Sequence, residues 1–420
     1  MKYSRFSGQF KRDSGILRLM SDLGDALNRG ADIHMLGGGN PAAIPEAGAV
    51  FRAEMEKMLA DGSAFEQMIG NYDAPQGNAA FIEALAALLA QRLNRPLGPA
   101  NIAVTNGSQS GFGVLFNLFA GRYPGGVFKK IILPMTPEYI GYADVGLGEQ
   151  PIFAAHKPLI EDTGGRFFKY RVDFDHLECA AEVGAVCISR PTNPTGNVVT
   201  DQEMGRLCAL TRDAGLPLIV DGAYGPPFPG IVFNRARPLW EEHIILCLSL
   251  SKLGLPGART GIIVANPDVI SRVTGANAIF TLAPGRFGPS LVTRLLQSGE
   301  LLALCRDIIA PYYRRRSRRA IDLVNEEMAD LPVRIHNSEG AIFLWLWFPD
   351  LPISSETLYQ RLKRRGVLVV AGQHFFPGLE QPWRHRHECI RVTYAADENQ
   401  VERGIRIIAE EVRRAYSGGA

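Results

Sequence analysis

Short runs of uninterrupted apolar residues punctuate the middle of this chain, and they restrict its fold more than any other feature. Candidate strands are Ile102-Ala103-Val104-Thr105, Ile131-Ile132-Leu133, 185–189, Leu218-Ile219-Val220-Asp221, 244–249 and 261–265. None alternates apolar with polar residues. Each therefore suits a strand buried on both faces, as in a parallel sheet covered by helices. One intervening stretch has readable helix ends: Thr200 and Glu203 make a capping box, Gly215 stops the helix, and Pro217 opens the next strand. This rhythm predicts an α/β fold, with a large domain over 51–300 built on a mostly parallel central sheet. Residues 301–329 read as helical and arginine-rich, and 330–420 as short strands and helices. A smaller α+β domain built from both termini, 1–50 and 301–420, is expected.

Composition excludes several classes of function. The 420 residues carry 45 Lys+Arg against 43 Asp+Glu, a net charge of +2, so no basic stripe invites nucleic acid. The apolar run from Ala341 to Phe348 is far shorter than the roughly 20 residues a membrane-spanning helix needs. The opening Met1-Lys2-Tyr3-Ser4-Arg5 begins no apolar signal core, so neither a membrane nor secretion is expected. Hydrophobic residues make up 46% of the chain, enough for a core that needs neither disulfide nor metal. The 6 cysteines are scattered without a CxxC pair. They read as buried free thiols in a reducing compartment, and the cytoplasm is expected.

Four segments carry chemistry. In Ser249-Leu250-Ser251-Lys252, followed by a Gly/Pro loop to Arg259, a lysine leaves a buried strand. Burial lowers a lysine's pKa, and a neutral amine is what Schiff-base chemistry needs. Ser249, Ser251 and Arg259 can hold a phosphate. Alone, the segment also reads as an exposed lysine after a strand. In Val220-Asp221-Gly222-Ala223-Tyr224 an acid ends a strand, where open α/β sheets bind ligands. Asp221 can pair with a protonated pyridine nitrogen and Tyr224 can donate to a phenolate; a loop cap with Tyr224 on the core is the plainer reading. Asn193, in Pro191-Thr192-Asn193-Pro194-Thr195-Gly196, can donate its amide to a ligand oxygen, or the segment is simply a rigid turn. Thr105-Asn106-Gly107-Ser108-Gln109 precedes an apolar helix, 112–120, whose N-terminus offers an anion site or merely a serine cap.

Together the four segments describe one cofactor, pyridoxal 5′-phosphate: an aldehyde for a lysine, a pyridine for an acid, a phenolate for Asn and Tyr, and a phosphate. Their order and spacing resemble the class I aminotransferases of the aspartate-aminotransferase fold, and the likeness runs over nearly the whole chain. It extends to Gly37-Gly38-Gly39-Asn40-Pro41, Asn71-Tyr72-Asp73-Ala74-Pro75, Pro137-Glu138-Tyr139-Ile140-Gly141-Tyr142 and Glu339-Gly340-Ala341. The resemblance implies that Lys252 is the Schiff-base lysine and proton-transfer base, and that Asp221 keeps the pyridine nitrogen protonated. Tyr224 and Asn193 would donate to the phenolate oxygen. Gly107, Ser108, Gln109, Ser249 and Arg259 would form the phosphate cradle, with Tyr139 stacked on the ring. Arg391 would grip the substrate α-carboxylate, with the backbone near Gly39 and Asn40 beside it. Tyr72 would reach the phosphate of a neighbouring subunit, which makes a homodimer the expected unit.

The expected reaction moves an amino group between amino acids and 2-oxoacids, with L-valine and pyruvate as the pair. No second arginine for a distal carboxylate is identifiable, although the arginine-rich stretch 301–319 can hide one. A different aliphatic donor range, or a pyridoxal-phosphate β-lyase on the same fold, would use the same cofactor residues. The sensor domain of a transcription regulator is disfavoured, because the first fifty residues lack a basic helix-turn-helix pattern. His385-Arg386-His387-Glu388-Cys389 resembles a metal cluster but has flanking arginines and no fourth ligand, so no metal is expected. Trp345 and Trp347 read as a half-buried strand, the run from Arg314 to Arg319 as a solvated helix face, and Gly37-Gly38-Gly39 as a possible hinge.

Overall fold

The computed structural model describes residues 1–3, 7, 10, 14–29, 33–148 and 150–418. Its centre is an 8-stranded sheet. In spatial order run Ile102–Thr105, Gly261–Val264, Ile244–Ser249, Leu218–Asp221, Val183–Ser189 and Phe128–Leu133. Gly121–Arg122 and Phe153–Ala155 both pair with the last of these. Gly261–Val264 is antiparallel to both neighbours. From Ile244–Ser249 to Phe153–Ala155 the pairings are parallel. The mostly parallel sheet read from the apolar runs is thus present, and five of its strands, from Ile102–Thr105 across to Val183–Ser189, are buried at every position.

Successive residues of one strand serve opposite cores. Cys187, Ile219, Ile245 and Ile263 pack with Phe112 and Phe116 of the helix Ser108–Phe119. Ile188, Val220, Leu246 and Ile262 belong to the larger core on the other face. Fully burying such side chains contributes about 1.5–3 kcal/mol each, upper estimates that conformational entropy offsets. The helix Asp201–Asp213 begins as expected: Thr200 accepts from the Glu203 N–H while the Glu203 carboxylate accepts from the Thr200 N–H. Gly215, at φ 65°, follows its last turn.

A second sheet has 6 strands: Val370–Ala371, Cys389–Thr393, Phe343–Trp347, Arg334–His336, Phe167–Arg171 and Leu159–Gly164. Three expectations change here. The hairpin formed by Leu159–Gly164 and Phe167–Arg171 lies inside the stretch assigned to the large domain, yet it pairs with Arg334–His336. The boundary expected at residue 50 falls within the helix Pro45–Ala60, which packs on Phe287–Ser298. Phe343–Trp347 is an interior strand rather than a half-buried one. Trp345 is fully buried against Phe375 and donates its indole N–H to the Tyr170 hydroxyl at 2.9 Å. The N-terminal strand His34–Met35 pairs in parallel with Val367–Leu368. Among the described residues no helix is long and apolar enough to cross a membrane.

Candidate active site

Register decides where the chemistry gathers. Ser189 pairs with Asp221, Asp221 pairs with Cys247, and Ser249 pairs with Gly261, which in turn pairs with Thr105. The carboxyl ends of the parallel strands therefore lie side by side, and the loops leaving them line a cavity of about 220 Å³. Lys252, Asp221, Tyr224, Asn193 and Arg391 line it, with Ser108, Gln109, Ser249 and Arg259 around one part. Gly39, Asn40 and Tyr139 complete the group expected from the sequence. Gly107 lies against Arg259, and Tyr72 stands apart, 84% exposed. A larger cavity of about 630 Å³, between Leu89 and Pro311, holds none of these groups.

Lys252 sits in the tight turn Ser251–Leu253 directly after its strand. Its Nζ donates to the Gly39 carbonyl at 2.6 Å and lies 5.3 Å from the centre of the Tyr224 ring. Burial pulls its pKa down to about 8, with Arg391 and Arg259 adding to the effect and Asp221 opposing it. A free amine is thus available close to neutral pH.

Asp221 is buried, and burial pushes its pKa up. The Tyr142 hydroxyl, donating at 2.7 Å, and the Ala223 N–H, donating at 2.9 Å, draw it back towards the carboxylate, as does Lys252. The sequence reading left Tyr142 without a role, although it lies three residues beyond Tyr139 in the quoted motif. Its ring is held edge-on by Phe112, Phe116 and Tyr139.

The phosphate-type cradle is built where a strand enters a helix. Gly107, not Ser108, is the cap of Ser108–Phe119, at φ 86° and ψ 156°. That conformation favours glycine, and a Cβ there would stand 2.2 Å from an Arg259 guanidinium nitrogen. Arg259 is thereby laid over free N–H groups at a helix N-terminus, a combination that binds anions. Gln109 donates to the Gly141 carbonyl at 2.7 Å, and its Oε1 is buried without a partner.

Arg391 lies on the strand Cys389–Thr393 and is 1% exposed. Its guanidinium donates to Asn193 Oδ1 and to the Gly37 carbonyl, both at 2.7 Å, and sits 4.1 Å from the Phe343 ring centre. Burial lowers its pKa to about 10, so it stays cationic at neutral pH. Its Nε is buried without a partner, as is the Tyr224 hydroxyl. A buried cation with spare donors and only neutral acceptors is a carboxylate site in waiting. The cavity therefore offers an amine, an acid, hydroxyl and amide donors, an anion cradle and a second anion site. That donor set fits pyridoxal phosphate together with an amino acid.

A wall of the cavity comes from the N-terminal helix Gly15–Arg29, whose Ile16, Leu19 and Met20 line it and which no sequence motif marks. The helix is tied down by Arg18 to Glu356 at 2.8 Å and by Asp22 to Lys363 at 2.6 Å. Among the described residues, Arg259 and Arg391 are the arginines of the lining. The run from Arg314 to Arg319 is engaged elsewhere, with Arg314 on the Phe233 carbonyl and Arg316 on Glu398. Gly37 is a close-packing position rather than a free hinge, since a Cβ there would meet the Val369 carbonyl at 3.0 Å. His385 lies in the short turn Arg384–His387, is stacked 4.4 Å from Trp383, and hydrogen-bonds Tyr170.

The family model for aminotransferase class I and II matches residues 47–408. A relative from Escherichia coli K12, valine–pyruvate aminotransferase, is 50% identical over 99% of both chains. A solved putative amino-acid aminotransferase from Psychrobacter arcticum superposes with a TM-score of 0.96 at 46% identity, covering 99% of each chain. Valine-pyruvate aminotransferase from Salmonella typhimurium LT2 gives 0.89 at 48% identity, covering 96% of this chain and 100% of that one.

Proposed function

This chain belongs to the class I and II aminotransferases, and from that premise we propose that it exchanges an amino group between L-valine and pyruvate. The products are 3-methyl-2-oxobutanoate and L-alanine. One observation carries the reading: an amine of lowered basicity, Lys252, shares a cavity with a buried acid, Asp221, and a buried guanidinium, Arg391, that has no carboxylate partner. The relatives named for valine and pyruvate support the choice of pair.

Pyridoxal 5′-phosphate is the cofactor; when bound, it supplies an aldehyde for the amine and a protonated ring that draws electrons from the substrate. In this reading Lys252 would hold it, and its amine would serve to move the substrate Cα proton. Asp221, steadied by Tyr142 and Ala223, keeps the ring nitrogen protonated. Tyr224 and Asn193 donate to the phenolate oxygen. Arg391 orients Asn193 through its Oδ1 and turns spare N–H groups to the substrate carboxylate, with Gly39 and Asn40 alongside. Ser108, Gln109, Ser249, Arg259 and the turn at Gly107 hold the phosphate, and Tyr139 stacks on the ring. Ile16, Leu19 and Met20 give the side-chain end an apolar wall and exclude water. Among the described residues the lining offers no arginine beyond Arg259 and Arg391, which favours valine over dicarboxylic donors.

The same reading assigns the cofactor to a unit of about 45–300, which keeps the helix Pro45–Ala60 whole, with the hairpin 159–171 grouped with the terminal segments. It makes the working unit a cytoplasmic homodimer. Ile69, Tyr72, Ile279, Phe280 and Leu282 are exposed. Arg286 ties this region together through the Gln67 carbonyl and Asp73, and Gly285 donates to Asn106 beside the cradle. An apolar rim at that place suits a second copy whose Tyr72 reaches the phosphate. Steady-state kinetics test the reaction. Parallel double-reciprocal lines for valine and pyruvate, with no turnover without a 2-oxoacid, are expected. Ammonia release from a single amino acid would place the enzyme among the β-lyases instead.

A further inference from the structure

Glu138 is fully buried, and the charged neighbour acting on it is another acid, Asp221. Its Oε1 accepts from the Ser189 N–H at 2.8 Å, and its Oε2 is hydrogen-bonded to the Ser189 hydroxyl. Its own N–H donates to the Phe375 carbonyl at 2.8 Å. Three parts of the site meet at this residue. Tyr139 follows it directly. Ser189 ends the strand that pairs with Asp221 and leads on to Asn193. The Phe375 ring lies 5.1 Å from the Arg391 guanidinium.

We propose that Glu138 is a positioning residue, a neutral carboxylic acid that clamps Ser189 and so fixes the spacing of Tyr139, Asn193 and Asp221, leaving Asp221 as the negative charge beneath the cofactor ring. The inference rests on the reading that this cavity holds pyridoxal phosphate. In the neutral form the Oε2–H donates to Ser189 Oγ and Oε1 accepts the Ser189 N–H, so both oxygens are used. In the ionised form two carboxylates would share a dry space, and the charge on Asp221 would oppose a second one. Burial pushes the Glu138 carboxyl up to about 8, against the bonds from Ser189 and from the Tyr139 backbone N–H, and with Asp221 adding to the rise. The other titratable groups facing it give no relief. Tyr142 and Cys187 are both held well above their ordinary values by burial, Tyr139 is raised, and all three stay neutral. Lys252 acts on Asp221.

Glutamine imitates the neutral acid, with Oε1 accepting and Nε2 donating; alanine imitates nothing. A carboxyl whose folded pKa exceeds its unfolded value stabilises fully below the unfolded pKa, and that contribution is lost as pH rises through the folded one. The window here runs from about 4.5 to about 8. The test compares thermal melts of the apoproteins of wild type and Glu138→Gln from pH 5 to pH 9, with all other titrating groups in common. The melting temperature of Glu138→Gln should gain on wild type as pH rises to about 8 and then run parallel. Titration of apoprotein with pyridoxal phosphate at pH 7 should give Glu138→Gln within about twofold of wild type and Glu138→Ala weaker by about tenfold or more. Melting curves that stay parallel throughout, or a glutamine variant as impaired as alanine, would overturn the proposal. If Glu138→Ala fails to fold, the glutamine comparison still decides. Failure of wild type itself to bind pyridoxal phosphate would instead refute the cofactor reading, and the melts would be unaffected.

Discussion

Arg391 and Lys252 set the terms at the residue scale, because each is a basic group, Arg391 buried and Lys252 half-buried, that has no carboxylate bonded to it. Arg391→Ala removes the carboxylate grip and also frees the Asn193 amide. KM for both valine and pyruvate should rise on the order of a hundredfold, about 2.7 kcal/mol. Unchanged KM values for both would remove Arg391 from the substrate site. Lys252→Ala should abolish turnover while leaving the melting temperature near that of wild-type apoprotein. With its pKa near 8, the neutral fraction of Lys252 is already present near pH 7 and grows as pH rises through 8. Stopped-flow uptake of pyridoxal phosphate by apoprotein should therefore quicken as pH rises from 7 to about 8.5 and then level. A flat profile would mean that another group controls capture. These residues were legible because the chemistry demands their types at fixed places after strands. Tyr142 and Glu138 were not. A tyrosine and a glutamate in a turn look alike whether exposed or buried, and only the packing around them decides.

At the scale of elements, continuous apolar strands could be read directly, since a strand covered on both faces has no polar side to confuse the pattern. The hairpin 159–171 could not. Leu159–Gly164 is exposed along its length, and a solvent-facing strand carries no apolar signature. Phe343–Trp347 misled in the opposite sense: the alternation of Trp with smaller apolar residues suggested one wet face where the second sheet supplies two dry ones. The turn at Gly107 makes a sharp test of local geometry. Gly107→Ala adds a Cβ that collides with Arg259 at a positive φ. Pyridoxal phosphate affinity should fall by tenfold or more, while pyridoxal, which lacks the phosphate, should bind much as before. The N-terminal helix tests specificity. Leu19→Arg places a cation in the apolar wall, and kcat/KM for valine relative to aspartate should fall at least about tenfold. An unaltered ratio would mean that the helix does not meet the substrate side chain.

For the whole molecule, the two sheets are joined through the site. Arg391 on one sheet hydrogen-bonds Asn193 from a loop of the other, and the Glu339 backbone N–H donates to the Gly196 carbonyl. The N-terminal helix spans the same gap, with Ser14 on Asp144 at 2.5 Å and Arg18 on Glu356. The central claim is that this cavity performs half of a transamination with valine alone, and one measurement addresses it. L-Valine is added to purified holoprotein without any 2-oxoacid, and the visible absorption band of the bound cofactor is followed. Loss of that band with one equivalent of 3-methyl-2-oxobutanoate per site is expected, with its return on adding pyruvate and formation of L-alanine. A band that valine leaves unchanged, or that fades without release of the 2-oxoacid, would contradict it.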